Sequence, residues 1–414
     1  MAPKLITDNV YWVGAIDYDR RQFHGLSTPH GSTYNSYLVT GEKTALIDCV
    51  DQRFTAELLR NVQEVMELSR LDYVVCNHSE PDHSGALPRI KELAPQAQVY
   101  GTARCIDMLK GTYRPSWDLH PVKEGDSLDL GNLQLRFIDA PFLHWPDTMF
   151  TYLPQRQLLF SCDFLSTHVA STNRFDDEMA DFSLESAKYY AYIMRPFVKP
   201  VLRGLDKMAG LDLRLVAPSH GPVLRSRFRD LADAYRRWSV NDTREKVTIV
   251  YASIWDSTEH LARELASALD AEGIEVGFFN LRNADLAEML LSAVESRAVV
   301  AGSCTIIGGP HPGFYSLLAF LKGVHLEGRL GAAFGSYGWG GGAVAKLSAA
   351  LQDAGLRIVD AGLDVKLAPG AEEIARCRAF ARELVAHVRH PAVHRRPGYR
   401  GAGHGVGGDL RAHG

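Results

Sequence analysis

Seven side chains within the first 220 residues have the chemistry of metal ligands. Four of them crowd into one stretch, Cys76-Asn77-His78-Ser79-Glu80-Pro81-Asp82-His83-Ser84-Gly85. Alternate residues of a tight loop converge on one point, so His78 and Glu80 can serve one centre while Asp82 and His83 serve a second. The remaining three are His144, Asp163 and His220. Together they make a set of three carboxylates and four imidazoles. That is a harder donor set than the His and Cys ligands zinc favours, and it suits a redox-active metal such as iron. Ligand type alone leaves zinc and manganese open.

Strands must deliver these residues. The metal stretch follows the β-branched run Leu71-Asp72-Tyr73-Val74-Val75 and precedes a helical pattern over residues 86–93. His144 follows the run from Leu133 to Ala140, Asp163 ends Leu158-Leu159-Phe160-Ser161-Cys162, and His220 ends the run from Leu213 to Ser219. All four positions lie at or just past the C-terminal end of an expected strand, where loops on a rigid scaffold carry function. A polar surface loop would explain the first stretch, but not the matching chemistry at three further strand ends.

With 414 residues the chain has room for two or three domains. It is 46% hydrophobic and 23% charged, with a net charge of -4, which points to no acidic or basic partner. A nucleic-acid ligand has no support beyond scattered basic residues at the end of the sequence. No apolar run is long enough to span a membrane, and the first residues lack the apolar core of a signal peptide. The expected location is cytoplasmic. Six cysteines are scattered without a C-x-x-C pair, which excludes a zinc ribbon or an iron–sulfur motif in this sequence and predicts buried thiols.

The composition shifts near residues 240–245, and strands and helices then alternate. The strands expected are Val247–Tyr251, Val276–Phe279, Ala298–Gly302, Gly331–Phe334 and Leu356–Val359. Three of them end in loops suited to a phosphate and a planar ring. The first is Ser253-Ile254-Trp255-Asp256-Ser257-Thr258, hydroxyl-rich and opening a helix, whose N-terminal amides attract anions. The second is Ser303-Cys304-Thr305-Ile306-Ile307-Gly308, and the third is Ser336-Tyr337-Gly338-Trp339-Gly340-Gly341-Gly342. Glycines let backbone approach a ring closely, and aromatic residues stack on it. Neither G-x-G-x-x-G nor a P-loop is present.

The pattern His78-x-Glu80-x-Asp82-His83, then His144, Asp163 and His220, resembles the metallo-β-lactamase fold. Its zinc hydrolases carry a second histidine where this sequence has Glu80, and that replacement resembles the flavodiiron proteins. The Ser336–Gly342 run resembles the same family, from about Leu5 to Val388 overall. The resemblance implies an αββα metallo-β-lactamase-like sandwich over residues 1–243. It also implies a flavodoxin-like, doubly wound sheet of five parallel strands over 244–389, with a disordered tail over 390–414. It implies two irons, one held by His78, Glu80 and His144, the other by Asp82, His83 and His220, with Asp163 between them. In some members the residue matching His83 turns away. It places His24, in a matching F-H-G stretch, near the pocket. In the helical stretch Lys188-Tyr189-Tyr190-Ala191-Tyr192, Tyr190 is a candidate hydroxyl facing the metals. Its neighbours Tyr189 and Tyr192 read as packing residues.

The three loops would hold FMN. The activity implied is reduction of O2 to water, of NO to N2O, or of both. Electrons would come from a rubredoxin or from a flavin or deazaflavin reductant. The active unit would be a head-to-tail homodimer, or a dimer of dimers, with Trp339 reaching the partner's metal pocket. A zinc hydrolase with an attached flavodoxin-like domain and a non-catalytic electron carrier are the alternatives. Cys304 and Gly308 depart from the family, which commonly has Pro and Asn there.

Overall fold

The computed structural model describes residues 2–390, so the tail reading lies outside the described residues except for His390. Two sheets form the first half. One orders its strands Lys4–Thr7, Val10–Trp12, Tyr37–Thr40, Thr44–Ile47, Tyr73–Val75, Gln98–Thr102 and Leu119–Val122. The other orders Ser127–Asp129, Gln134–Asp139, Met149–Leu153, Leu158–Cys162 and Leu215–Pro218. Side chains alternate along each strand. In the first sheet Leu38, Leu46 and Val74 face a layer containing the helices Thr55–Val65, Leu87–Leu93 and Ala103–Tyr113. Their neighbours Tyr37, Val39, Ile47 and Val75 meet Leu135, Phe137, Leu158 and Phe160 of the second sheet. The outer face of the second sheet is covered by Val198–Ala209 and Phe228–Ser239, which completes the αββα sandwich.

The second half is a parallel sheet ordered Glu275–Asn280, Arg244–Ala252, Ser296–Cys304, Leu330–Tyr337 and Arg357–Ile358. This is the flavodoxin-like order, and its switch point lies beside the first strand. Helices Ser257–Ala271 and Ala371–Arg389 pack on one face. Helices Leu286–Glu295 and Gly313–Gly323 pack on the other, in a core continuous with the outer helices of the sandwich. Helix Leu286–Glu295 meets both Ser183–Tyr189 and the π-helical turn Tyr190–Met194 of the first half. The first half therefore abuts a flat side of the flavodoxin layer. Among the described residues, no helix is long and apolar enough to cross a membrane.

Local breaks redirect several strands. Val10–Trp12 and Ala15–Asp17 belong to different sheets, and between them Gly14 passes so close to the Tyr34 carbonyl that an added Cβ would clash. Ser32–Tyr34 and Tyr37–Thr40 divide likewise. The fifth flavodoxin-like strand is shared by Arg357–Ile358 and Leu363–Lys366, both pairing with Leu330–Tyr337. Gly362, at φ +96°, marks the break between them.

Candidate functional site

Strand Tyr73–Val75 feeds the metal stretch, and a single helical turn, Pro81–Ser84, follows it. Pro81 opens that turn, where a missing N–H is harmless. Gly85 closes it against the chain at Val50–Gln52; a Cβ there would meet Pro81 O at 2.5 Å and Gln52 N at 2.6 Å. The turn is thereby pinned, with Asp82 and His83 buried. His144 lies in the loop between Gln134–Asp139 and Met149–Leu153, Asp163 directly follows Leu158–Cys162, and His220 follows Leu215–Pro218. One end of the sandwich thus collects residues from both sheets.

Asp163 organises the group. Its Oδ2 faces His78 Nε2 at 3.8 Å and His144 Nε2 at 3.6 Å. Glu80 Oε2 faces the same two nitrogens, at 3.1 Å and 3.3 Å. The other oxygen, Asp163 Oδ1, faces His83 Nε2 at 3.4 Å and His220 Nε2 at 3.3 Å. Asp82 Oδ2 lies 3.2 Å from each of those nitrogens. Two triads therefore share one carboxylate, each on its own oxygen, and His83 points inward.

His78 Nε2 and Glu80 Oε2 are hydrogen-bonded, while the other atoms are close without being aligned as hydrogen bonds. Both oxygens of Asp82, both of Asp163, and Nε2 of His83, His144 and His220 are buried and have no hydrogen-bond partner. Buried polar atoms are normally satisfied. Orphaned atoms converging on two points fit two cations. Within the protein alone, the charges pair instead. Burial opposes charge on His78, but the carboxylates of Asp147 and Glu80 outweigh it and push its pKa to about 10. Burial likewise opposes charge on His220, yet Asp163 and Asp82 raise it to about 9. The Asp163 carboxyl is held well below its usual range, since His83 and His220 overcome the cost of burial. Metal ions would displace these imidazole protons and take over the neutralisation.

In two of the four histidines the other ring nitrogen is engaged, and this fixes which nitrogen each of them offers. His78 Nδ1 is 3.1 Å from Asp147 Oδ1, and the Ser79 N–H donates to Asp147 Oδ2 at 2.8 Å. His220 Nδ1 is 2.6 Å from the Thr33 carbonyl. Such partners orient a ligand and raise its basicity.

The flavin-type loops gather at the C-terminal ends of the parallel strands. They border a cavity of about 560 Å³, within the usual range for a cofactor site. All three contribute, through Ser253–Trp255 and Ser257, Cys304–Ile307, and Ser336–Trp339; Leu367 and Ala368 also line it. Ser253 Oγ is buried without a partner, beside the N-terminus of the fifteen-residue helix Ser257–Ala271. Thr258 Oγ1 bonds Ser336 Oγ at 2.8 Å, tying the first loop to the third. An unpartnered hydroxyl at a helix N-terminus fits a phosphate group. Asp256, Thr258, Ser303, Gly308, Gly340 and Gly341 lie outside the lining and shape the loops instead.

Comparison with known proteins follows this division. Residues 33–221 match a family model described as ODP family beta lactamase, and residues 249–380 match flavodoxin. A nitric oxide reductase of Moorella thermoacetica is 40% identical over 395 residues, 93% of this chain and 99% of that protein. The anaerobic nitric oxide reductase flavorubredoxin of Escherichia coli O1:K1 is 36% identical over 390 residues, 92% of this chain and 81% of that protein. Among solved structures, rubredoxin:oxygen oxidoreductase of Desulfovibrio gigas superimposes with a TM-score of 0.90 at 29% identity, covering 94% of this chain and 99% of its own. The flavodiiron protein of Giardia intestinalis gives 0.90 at 29% identity, covering 95% and 99%. The chain belongs to the flavodiiron proteins.

Asp147, His168 and Tyr189 of this flavodiiron site escaped sequence reasoning, whereas His24 was expected near the pocket. Asp147 sits three positions after His144, in a loop where nothing sets its carboxylate apart from its neighbours. His168, five positions after Asp163, is buried with Nδ1 2.9 Å from Ser32 Oγ, and its ring lies 4.9 Å from that of His220. Burial, with His220 and His24 nearby, pushes it well below the usual histidine range, so it is neutral. His24 Nε2 meets Glu80 Oε1 at 2.9 Å, opposite the oxygen that faces the histidine pair. The Tyr190 expectation needs correction. Its hydroxyl bonds Ser239 Oγ at 2.8 Å and its ring packs on Tyr235 and Trp238. The preceding Tyr189 turns toward the metal pocket, with its ring 5.1 Å from His168. Five of the six cysteines are buried, and all are free; Cys304 alone is half-buried, at the flavin cavity.

Proposed function

We propose that this chain reduces O2, NO or both, with His78, Glu80 and His144 on one iron, Asp82, His83 and His220 on the other, and Asp163 bridging. The observation that carries this reading is the division of Asp163: each carboxylate oxygen faces its own triad. When bound, FMN and two irons together supply four electrons, enough to take O2 to water, while two suffice to couple two NO into N2O. The relatives bear names of both kinds, nitric oxide reductase in Moorella and oxygen oxidoreductase in Desulfovibrio. Neutral His168 and the His24–Glu80 contact stand beside the pocket as groups that hold or pass protons. The electron donor is of rubredoxin type, as the name of the Desulfovibrio protein states for that protein. Metal quantification followed by anaerobic reduction and parallel O2 and NO consumption tests the assignment. Two irons and turnover of either gas are expected; stoichiometric zinc from iron-rich expression would return the hydrolase reading.

The assembly we propose is a head-to-tail homodimer. The sandwich abuts the flat side of the flavodoxin layer, while the rim of the flavin cavity is bare. Ile307, Trp339 and Trp255 are 100%, 97% and 87% exposed, so they touch almost nothing in their own chain. A two-fold arrangement would set this rim against the partner's metal pocket. Complementation tests it. One chain carries Asp163→Ala and lacks metal; the other carries bulky replacements at Ser253 and Ser336, which line the flavin cavity, and lacks FMN. Each alone is inactive, and co-refolded mixtures regain activity only if electrons cross between chains.

A further inference from the structure

Beside the metal pocket lies a small hairpin, Gln22–Phe23 paired with Leu26–Ser27. Its tip is His24 and Gly25, at φ +52° and +79°. The tip makes one contact of chemical consequence, His24 Nε2 to Glu80 Oε1. Two strands of two residues cannot hold such a position alone. On one side Phe23 stacks on His24 at 4.1 Å and lies 4.8 Å from His168. The other support comes from outside the sandwich. Strand Leu26–Ser27 contacts helix Leu286–Glu295 of the flavodoxin layer. Tyr192 reaches the tip itself: a Cβ built on Gly25 would lie 2.6 Å from the Tyr192 hydroxyl. The Tyr192 ring in turn packs 4.9 Å from Phe320, on helix Gly313–Gly323 of the flavodoxin layer.

We propose that Tyr192 is a positioning residue, a strut running from Phe320 in the chain's own flavodoxin layer to the Gly25 tip, which sets His24 against Glu80. Glycine at position 25 serves both ends of this contact. It adopts the positive φ that a side chain resists, and it leaves room for the hydroxyl. The flavodoxin layer then has a second task. Besides presenting flavin loops at its strand ends, it shapes the metal pocket of its own chain through its flat side. This rests on the diiron reading of the site, but the strut itself is a contact between protein groups.

The experiment uses the full-length FMN-loaded protein and two readouts. One is hydrogen–deuterium exchange in the peptide spanning residues 20–28. The other is the electron paramagnetic resonance spectrum of the half-reduced metal site, with His24→Ala as reference. Tyr192→Ala and Phe320→Ala are expected to speed exchange in the hairpin by about tenfold and to shift the spectrum as His24→Ala does. Metal and FMN content should stay constant. Tyr192→Phe keeps the ring on Phe320 but withdraws the hydroxyl from Gly25, so it should fall between wild type and Tyr192→Ala. Gly25→Ala should disturb the hairpin, and Tyr192→Phe on that background should restore part of the loss, because removing the hydroxyl vacates the contested space. Hairpin exchange unchanged in both Tyr192→Ala and Phe320→Ala would overturn the proposal. If Tyr192→Ala folds poorly, Phe320→Ala and the Gly25 pair carry the test. Were the site to hold no iron, even His24→Ala would be spectroscopically silent, while the exchange arm would still decide on the strut.

Discussion

The metal pocket and the flavin cavity are built on opposite terms. Around Asp163 the side chains are buried, charged and interlocked, and orphaned atoms already converge before any ion is considered. Each first contact is backed by another: Asp147 behind His78, Thr33 behind His220, His24 behind Glu80. Even the glycine that ends the helical turn, Gly85, is hemmed in by backbone. At the flavin end the loops lie open. Gly338 and Gly340 have no atom within 4 Å of an added Cβ, and Ile307 and Trp339 stand clear of their own chain. A site that must hold ions at fixed geometry is rigid in its own right. A site that takes a large planar ring, and then a facing surface, leaves its closure to them.

If that contrast is right, the largest change should come from disturbing support deep in the metal pocket. Asp147→Asn keeps shape and loses the charge that orients His78. Asp147 is fully buried, and its carboxyl is held below the usual range because His78 and Ser79 outweigh burial. Loss of such a partner costs roughly 10–100-fold in metal affinity. The loss should fall first on the ion held by His78, Glu80 and His144, so chelator titration should show two unequal steps where the parent shows two similar ones. FMN content should not change. Equal weakening of both ions would mean the two triads are not separate.

The same contrast explains what could be read in the sequence. The convergence of candidate ligands at strand ends was legible because β-branched runs announce the strands and His, Asp and Glu announce the chemistry. The flavin loops were legible as glycine-rich strand ends. Of the supporting residues His24 was placed near the pocket by its F-H-G stretch, but Asp147 and His168 were not legible, since such side chains gain their role only through folding. Tyr189 and Tyr190 show the limit at its narrowest. Neighbouring helical positions point about 100° apart, and the turn Tyr190–Met194 is π-helical, which changes the phase again. Likewise nothing in Leu356–Val359 signalled that a second short strand, Leu363–Lys366, would complete the sheet.

A smaller effect should follow at the open end. Trp339 is 97% exposed, so Trp339→Ala should leave stability of the chain within about 0.5 kcal/mol. Its cost should appear between chains. An exposed tryptophan at the centre of an interface is a common hot spot, so dimer affinity should weaken by about tenfold or more. Sedimentation across a concentration series reads this directly, and electron delivery to the metal site should slow with it. If affinity and electron delivery both stay unchanged, the bare rim is not the facing surface.

The smallest effects separate backbone demand from crowding within the flavin loops. Gly308 and Gly340 both have empty space where a Cβ would go, but only Gly308 has a positive φ, at +67°. Alanine at Gly308 must therefore adopt the left-handed region, which costs about 1 kcal/mol with no clash added. Alanine at Gly340 has neither problem and should be close to neutral, within about 0.5 kcal/mol. Urea midpoints of the FMN-free protein would measure both, provided the flavodoxin-like transition is resolved by its own tryptophans. The two loops also touch. A Cβ on Gly342 would lie 2.8 Å from Gly308 O, so the third loop closes directly against the Gly308 carbonyl. That contact means the strained alanine at 308 cannot relax by swinging the loop outward without losing its seat against Gly342. Its penalty should therefore persist when FMN binds, leaving FMN affinity nearly unchanged while stability falls. If instead affinity falls and stability holds, the second loop is not preformed, and the flavin shapes it on binding.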